Sequence, residues 1–215
     1  MKKLLFTIAI LSLITNKSKA ADNYKKGDYL CVVSLNGLNI RSTCSLNSKI
    51  VSEIKFGSKV EVIDDTLSNV PLSIKLKFSP TNMTGFWVKI KSNNIEGYVF
   101  DGMLSQINYS KFGYNFSYKK ILGIPKIDTI KGISEPINGI KYPYQIVNKS
   151  YNSFIQLEQK EEWFDACLTV TEIFKNISFN EAYWLILLNL YNDDGTDLKI
   201  ENKEGIAVAE RYTCS

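Results

Sequence analysis

The sequence predicts a mostly β protein in two parts: a small barrel or sandwich, then an α+β unit with one helix on an antiparallel sheet. Two observations predict the first part. Short runs rich in β-branched and aromatic residues, such as Val60–Ile63 and Trp87–Ile90, alternate or nearly alternate in polarity, and glycine-containing turns separate them. One observation predicts the second part: a helix-capping pattern at Ser178 opens an apolar run, and further strand-like segments lie around that run.

The first twenty residues have the pattern of a signal peptide. Lys2-Lys3 gives a positive start, Leu4–Ile14 is an apolar run, and Ser18-Lys19-Ala20 places small residues before a cut at Ala21. An uncleaved N-terminal anchor is the alternative. No later segment reaches the roughly 18 apolar residues that a membrane-spanning helix needs. We therefore expect an exported chain, periplasmic or secreted, without stable membrane insertion after cleavage.

Signal cleavage would also remove the net charge. The whole chain has 26 basic and 22 acidic residues, and four lysines but no acidic residue lie within the first twenty positions. The remaining chain therefore carries equal numbers of basic and acidic residues. Long-range attraction to nucleic acid or to anionic lipid is not expected of such a chain.

Four segments of the first half occur in an order that resembles the bacterial Src-homology-3 (SH3-like) family. They are Leu38-Asn39-Ile40-Arg41-Ser42, Gly57–Val62, Gly85–Ile90 and Gly97-Tyr98-Val99. In that family an L-N-[VI]-R-S segment opens the barrel, and strands of the forms G-x-x-V-x-V, G-W-W-x-V and G-[WY]-V follow it. The resemblance covers about a third of the chain. It implies an SH3-like β-barrel over residues 24–105 and a role in binding rather than catalysis.

Two stretches depart from the family pattern. Thr43-Cys44 stands where the family has Gly-Pro, so the tip of that loop cannot be carried over. The stretch Thr66–Thr84 is longer than the usual connection. Because Ser73–Phe78 alternates in polarity, we predict an extra hairpin or a long loop there.

The resemblance implies that the ligand is a cell-wall peptide or an envelope protein. We expect the binding face to combine Asn39 and Arg41 with Trp87, Tyr98 and Phe100. The arginine would pair with a carboxylate of a peptide stem, and the aromatic residues would supply stacking and apolar contact. The alternative is structural: Trp87 and Tyr98 fill the barrel core, and Arg41 braces its own loop.

The pattern changes from about Tyr109, and we recognise no family in the second half. Residues 106–145 are predicted to be an irregular connection with an early strand. Aromatic residues occupy every second position of Phe112–Tyr118, whereas glycine and proline interrupt Ile121–Tyr144. The aromatic face is expected to be buried on a core, with a stacking platform for sugar or peptide as the alternative.

Residues 146–215 are predicted to form the α+β unit. Its predicted elements are strands Phe154–Glu158 and Trp163–Phe174 around a turn at Gln159–Glu162, a helix over 179–191, and a final hairpin of Leu198–Asn202 with Ile206–Tyr212. The helix is apolar on nearly all sides, so it should be buried on its own sheet or under a partner. We expect the two parts to be separable, with residues 21–105 able to fold alone.

Four cysteines in an exported chain predict disulfide bonds. Three connectivities are possible, and the sequence alone does not select one. We choose Cys31–Cys44, which flank a predicted hairpin at Asn36-Gly37, and Cys167–Cys214 within the C-terminal unit. A redox or metal site is the alternative, but the chain has neither a Cys-x-x-Cys motif nor a histidine.

The absence of histidine restricts the chemistry of the chain. A nucleophilic serine or cysteine normally needs a neighbouring base, which is most often histidine. The acidic pairs at 64–65, 161–162 and 193–194, with Asp197, would suit a glycosidase. However, most of them lie at predicted turns, and neighbours on a strand point to opposite faces. Asn192–Asp197 has the wrong spacing for an EF-hand calcium loop.

We therefore expect no catalytic residue, no metal and no cofactor. The chain is predicted to be a non-enzymatic binding protein of the cell envelope. One alternative is an envelope scaffold whose C-terminal unit carries the partner surface. A more distant alternative is a histidine-free cell-wall hydrolase.

The signal-peptide pattern generates a direct prediction. N-terminal sequencing of the exported protein should return Ala21 as the first residue, because the small residues of Ser18-Lys19-Ala20 precede that position. A sequence that begins at Met1 would contradict both the cleavage and the equal charge of the mature chain.

Overall fold

The computed structural model describes residues 24–66, 71–112, 116–135, 139–190 and 197–214. The predicted signal peptide and the acidic pair at 193–194 lie outside these residues. The chain is mostly β, with two antiparallel sheets and one main helix, as predicted.

The N-terminal sheet has eight strands that curl around one core. The strands are Tyr29–Val32 (β1), Leu38–Arg41 (β2), Ile50–Ile54 (β3), Lys59–Asp64 (β4), Pro71–Ile74 (β5), Met83–Ser92 (β6), Ile95–Phe100 (β7) and Leu104–Ser105 (β8). They lie in the order β3-β2-β7-β6-β4-β1-β8, and β5 pairs with β6. Every strand except β5 contributes to one buried cluster that includes Leu30, Ile40, Ile54, Val62, Val88, Val99 and Leu104. This sheet is the predicted small barrel.

The long connection before β6 does contain the predicted extra hairpin. Pro71–Ile74 pairs antiparallel with Met83–Phe86, with Ser73 opposite Thr84. The alternation of Ser73–Phe78 therefore predicted the right element, although the strand begins two residues earlier and ends sooner.

The second sheet has six strands, all antiparallel. The strands are Lys126–Ile133 (β9), Pro143–Asn152 (β10), Gln156–Phe164 (β11), Cys167–Lys175 (β12), Asp197–Lys203 (β13) and Ile206–Cys214 (β14), in the order β13-β14-β12-β11-β10-β9. Two helices accompany it, Tyr118–Leu122 (α1) and Phe179–Asn189 (α2). A short 3₁₀ turn at Asp101–Met103 connects β7 to β8, and a second one at Tyr109–Lys111 follows the barrel.

The predicted helix and the predicted final hairpin are confirmed. Ser178 caps α2, because its side chain accepts a hydrogen bond from the backbone N–H of Glu181 at 3.2 Å. In the hairpin of β13 and β14, Glu204 and Gly205 both adopt positive φ angles, 55° and 87°, which a tight two-residue turn requires.

The predicted strand at Phe112–Tyr118 is wrong at its described positions, and residues 113–115 lie outside the described ranges. Phe112 follows the 3₁₀ turn and Tyr118 begins α1. The ring of Phe116 instead joins a cluster, with centroids 5.6 Å from Tyr109 and 6.0 Å from Phe56. Phe116 therefore packs at the end of the barrel, whereas the Tyr118 ring packs on Phe174 of the second sheet, so neither follows the pleat of a strand.

The predicted irregular structure of Ile121–Tyr144 is also wrong in part, because this segment contains strand β9. Gly132 lies inside that strand, opposite Tyr144. A Cβ atom at Gly132 would lie 2.6 Å from the Tyr144 ring, so glycine is needed for close approach and does not interrupt the strand.

The predicted turn at Gln159–Glu162 is wrong as well, since these residues lie in the middle of β11. The chain turns at Asp165-Ala166, where Asp165 has a φ of 53°. This polar run remains extended because its side chains point alternately to the two faces of the sheet. Gln159 and Glu161 lie on the face that carries Glu172, and Lys160 and Glu162 lie on the other.

One of the two predicted disulfide bonds is present. Cys167 and Cys214 are directly opposite on β12 and β14 and are bonded. Cys31 and Cys44 are free, so that pairing is wrong. The physical reason is strand order: β1 pairs with β4 and β8 and not with β2, so no hairpin at Asn36-Gly37 brings the two thiols together.

Helix α2 lies in a core that both sheets share. Its buried residues pack in one cluster with barrel residues and with residues of the second sheet (Cys31, Val33, Met83 and Phe100; Leu157, Phe174, Ile200, Ala207 and Ala209). Hydrogen bonds cross the same boundary: Trp184 Nε1 donates to the carbonyl of Gly102, and Asn180 Nδ2 donates to the carbonyl of Thr84, both at 2.8 Å. That residues 21–105 fold alone stays a prediction, and such a fragment would expose Met83 and Phe100.

Within the ranges that the structure describes, no helix has the length and apolar composition needed to cross a bilayer.

The shared core predicts that a helix mutation destabilises both parts. Leu185 is fully buried, so Leu185→Ala should lower the free energy of unfolding by about 2–5 kcal/mol. Hydrogen exchange should show that amides of β6 and β12 lose protection together. The matched control is Leu46→Ala, at a side chain that is 54 % exposed, with an expected change within about 0.5 kcal/mol. Wild-type protection of the β6 amides in Leu185→Ala would contradict the prediction.

Candidate ligand-binding surface

The outer face of the barrel brings three of the five predicted binding residues together. Arg41 lies directly opposite Tyr98, and Tyr98 lies opposite Lys89 on the next strand. Asn39 is exposed two residues before Arg41, whereas Ile40 between them points into the core. Because alternate residues of a strand share a face, Asn39, Arg41 and Tyr98 lie on one outer surface. We call these three residues the β2–β7 face.

Arg41 also braces the loop that follows it. Its Nη1 donates a hydrogen bond to the carbonyl of Ser48 at 2.9 Å. The Ser48 hydroxyl in turn donates to the carbonyls of Thr43 and Ser45, at 3.0 and 2.8 Å. A guanidinium has five N–H donors, so one bond to the loop is compatible with a second role toward a ligand carboxylate.

Trp87 and Phe100 lie on the same sheet face as Lys89 and Tyr98, but both are buried, so neither ring is accessible as part of the β2–β7 face. They are directly paired on β6 and β7, and their side chains are 4 % and 3 % exposed. Phe100 is part of the shared core, and two glycines allow its close packing. A Cβ atom at Gly85 or at Gly102 would lie 2.6 Å from the Phe100 ring. A ligand on the outer face would therefore meet Tyr98 but neither of these rings.

Charges of both signs surround the β2–β7 face. Lys89 forms an ion pair with Glu96 at 3.4 Å, and both side chains are substantially exposed. Asp64, opposite Lys89, accepts a hydrogen bond from the backbone N–H of Thr66 at 2.9 Å. That bond lowers the pKa of Asp64, with smaller contributions from neighbouring lysines. The surface is polar and mixed in charge, which suits a ligand with both ammonium and carboxylate groups.

The acidic pairs suggested by the sequence do not converge on a catalytic site within the described ranges. Asp64 caps a turn. Glu161 forms an ion pair with Lys149, whereas Glu162 pairs with Lys160 on the opposite face of the sheet. Among the residues described, no cluster of three or more Cys, Asp or Glu side chains is placed to hold a metal ion.

A buried glutamate is the polar centre that the sequence did not reveal. Glu172 is 1 % exposed; it accepts a hydrogen bond from the Tyr118 hydroxyl and another from Gln159 Nε2, both at 2.8 Å. Burial raises the pKa of Glu172, although the charge of Arg211 and both hydrogen bonds act in the opposite direction. This network attaches α1 to the second sheet. In the sequence, Glu172 looked like any polar residue of an alternating strand.

A cleft of about 510 Å³ lies between the segment that follows the barrel, helix α1, the first turn of α2 and the loops at one end of the second sheet. Its apolar lining includes Ile107, Phe112, Ile121, Phe154 and Ile177. On its polar side, Glu181 accepts hydrogen bonds from the Ser105 hydroxyl at 2.6 Å and from the Gln106 N–H at 3.3 Å. The cleft therefore lies beside a polar link between the end of the barrel and the first turn of α2.

Comparison with known proteins identifies part of the chain. The family model for the bacterial SH3 domain matches residues 36–105, which confirms the resemblance seen in the sequence. The matched segment extends from the turn before β2 to the end of β8 and includes the whole β2–β7 face. No curated protein and no solved structure shows significant similarity to the chain.

The raised pKa of Glu172 predicts a specific pH dependence. The folded state favours the protonated carboxyl, so its stabilising contribution is complete below the unfolded-state pKa and is lost as the pH rises through the folded-state pKa. As the pH falls from about 7 to about 5, the free energy of unfolding of the wild-type protein should therefore rise relative to that of Glu172→Gln, which cannot ionise at this position.

Urea unfolding at the two pH values measures this difference. Glu53→Gln is the control, because Glu53 is exposed on β3 and its replacement should leave the wild-type pH dependence nearly intact. Identical pH dependence in wild type and Glu172→Gln would show that burial of Glu172 is not coupled to folding.

Proposed function

We propose that this chain is an exported, non-enzymatic protein of the cell envelope whose SH3-like part binds a cell-wall peptide or an envelope protein. The match of residues 36–105 to the bacterial SH3 domain carries the proposal, because such domains bind proteins or peptides. The signal-peptide pattern supports export, and the lack of histidine supports a binding role without catalysis.

The β2–β7 face is the proposed ligand surface. Barrel residues from β1, β6 and β7 are already buried in the core shared with α2, so a ligand can reach only the part of the outer face that stays uncovered. Asn39, Arg41 and Tyr98 offer an amide, a guanidinium and a phenol ring on one surface. These groups suit a peptide with free carboxylates, since arginine binds carboxylate in a bidentate geometry and tyrosine supplies apolar contact.

The second candidate is an envelope scaffold whose C-terminal unit carries the partner surface. The observation that favours it is exposed apolar surface on the second half: Phe154 beside the cleft is 64 % exposed, and Trp163 on β11 is 45 % exposed. In this case the barrel would contribute mainly through its packing on α2.

Purified cell-wall sacculi separate these functions. We expect the protein to co-sediment with sacculi without solubilising them. Arg41→Ala should weaken that binding about tenfold, because it removes one charge-assisted hydrogen bond to the ligand. It should lower the free energy of unfolding by less than about 2 kcal/mol. Lys119→Ala is the matched control, because it also removes one exposed positive charge but lies on α1.

The other outcomes assign the alternatives. Clearing of the sacculi would indicate a hydrolase. Absence of co-sedimentation would favour the scaffold. A loss of stability above about 2 kcal/mol in Arg41→Ala, with binding reduced only in proportion to the unfolded fraction, would make Arg41 a structural brace.

A further inference from the structure

Strand β9 forms an uncovered edge of the second sheet. It pairs with β10 along eight residues, from Lys126 opposite Ser150 to Ile133 opposite Pro143. Among the residues described, no strand pairs with its other side. The opposite edge is different, because barrel residues cover β13: the Ile200 N–H donates to the carbonyl of Phe78 at 2.8 Å, and the Asn202 N–H donates to Thr81 Oγ1 at 3.4 Å. An uncovered edge leaves backbone donors and acceptors available to another strand.

The isoleucines of β9 are exposed and regularly spaced. Ile127, Ile130 and Ile133 are 57 %, 49 % and 69 % exposed. Strand β9 carries charges of the kind that commonly protect an edge strand, Lys126, Asp128 and Lys131, but three exposed isoleucines on an unpaired edge are still unusual for a monomeric protein. Ile127 and Ile133 each lie three residues from Ile130, so the isoleucines have the same spacing in both chain directions.

We propose that β9 pairs antiparallel with β9 of a second copy of this chain, across a two-fold axis at Ile130. In this register Ile130 lies opposite Ile130 of the second copy, and Ile127 lies opposite Ile133. Directly opposed residues share a sheet face and have Cβ atoms about 4.5–5.5 Å apart, so all three isoleucines gain an apolar partner. The contact is isologous and closed, and it joins two six-stranded sheets into one.

The charges of β9 select the same register. With Ile130 on the axis, Lys131 faces Thr129 of the second copy, and Asp128 faces Gly132. Moving the axis to Asp128 would oppose two aspartates, and moving it to Lys131 would oppose two lysines, both of which are unfavourable. An axis at Thr129 would place Ile127 opposite Lys131 and lose the isoleucine pairs.

The neighbourhood of Gly132 adds a polar complement. Tyr144 lies over Gly132, with its hydroxyl oxygen 2.6 Å from the position of a Cβ atom there. Asp128 of the second copy would come opposite Gly132 on this same face, beside the Tyr144 hydroxyl. A phenol donates a hydrogen bond to a carboxylate, so the pair gives the register a specific polar contact on each side of the axis.

Sedimentation of the purified full chain across the micromolar range tests the pairing. We expect a monomer–dimer equilibrium that Ile130→Lys weakens at least about tenfold, because it replaces two buried isoleucines with opposed lysines at the axis. Ile50→Lys is the matched control, since Ile50 lies on a β-strand of the other sheet and is 48 % exposed; it should leave the equilibrium unchanged.

Cross-linking tests the register independently. In a Cys44→Ser background, Ile130→Cys should give a covalent dimer under mild oxidation, because the two thiols face each other at the axis. Asp128→Cys should not, since the two positions would lie four residues apart along the strand, about 13 Å. A chain that stays monomeric overturns the proposal, even if it captures an unrelated peptide strand at β9. A dimer that Ile130→Lys leaves intact, or that cross-links better through position 128, also overturns it.

Discussion

Burial of helix α2 is the constraint around which the two sheets are arranged. The helix is apolar on nearly all sides, and Ala182, Leu185, Ile186 and Leu188 are each almost fully buried. One sheet can cover only one side of a helix, so the barrel covers another. Trp184 and Asn180 use their polar groups to hydrogen-bond barrel carbonyls at that boundary. The residues that join the parts are thus those of an ordinary core, with few polar atoms.

This arrangement decides which surfaces are accessible to a ligand. Phe100 and Met83 would be exposed on an isolated barrel, yet they lie in the shared core here. The remaining outer surface of the barrel carries Asn39, Arg41 and Tyr98, with charged side chains of both signs around them. The bacterial SH3 family model includes this surface. The proposed binding role therefore rests on a polar face with one phenol ring and not on an aromatic patch.

The second sheet tolerates a buried acid because its network is well satisfied. Transfer of a carboxylate from water is costly unless hydrogen bonds and a nearby opposite charge compensate. Glu172 has hydrogen bonds from Tyr118 and Gln159, and the charge of Arg211 acts on it as well. Tyr118 is itself fully buried, and burial with the adjacent carboxylate raises its pKa well above the usual range. Such a network gives the short helix α1 one position on the sheet, which apolar contacts alone would specify less sharply.

Many local features of this protein could be predicted from its sequence, whereas most of the long-range partners could not. The barrel strands, the Ser178 cap and the turn at Glu204-Gly205 follow from residues close together in the chain, because they depend on backbone preference and side-chain period. Three other features depend on strand order: the free thiols of Cys31 and Cys44, the burial of Trp87, and the pairing of β9 with β10. Strand order is set by packing among distant segments, and only the tertiary structure decides it, since one local pattern is compatible with several neighbours.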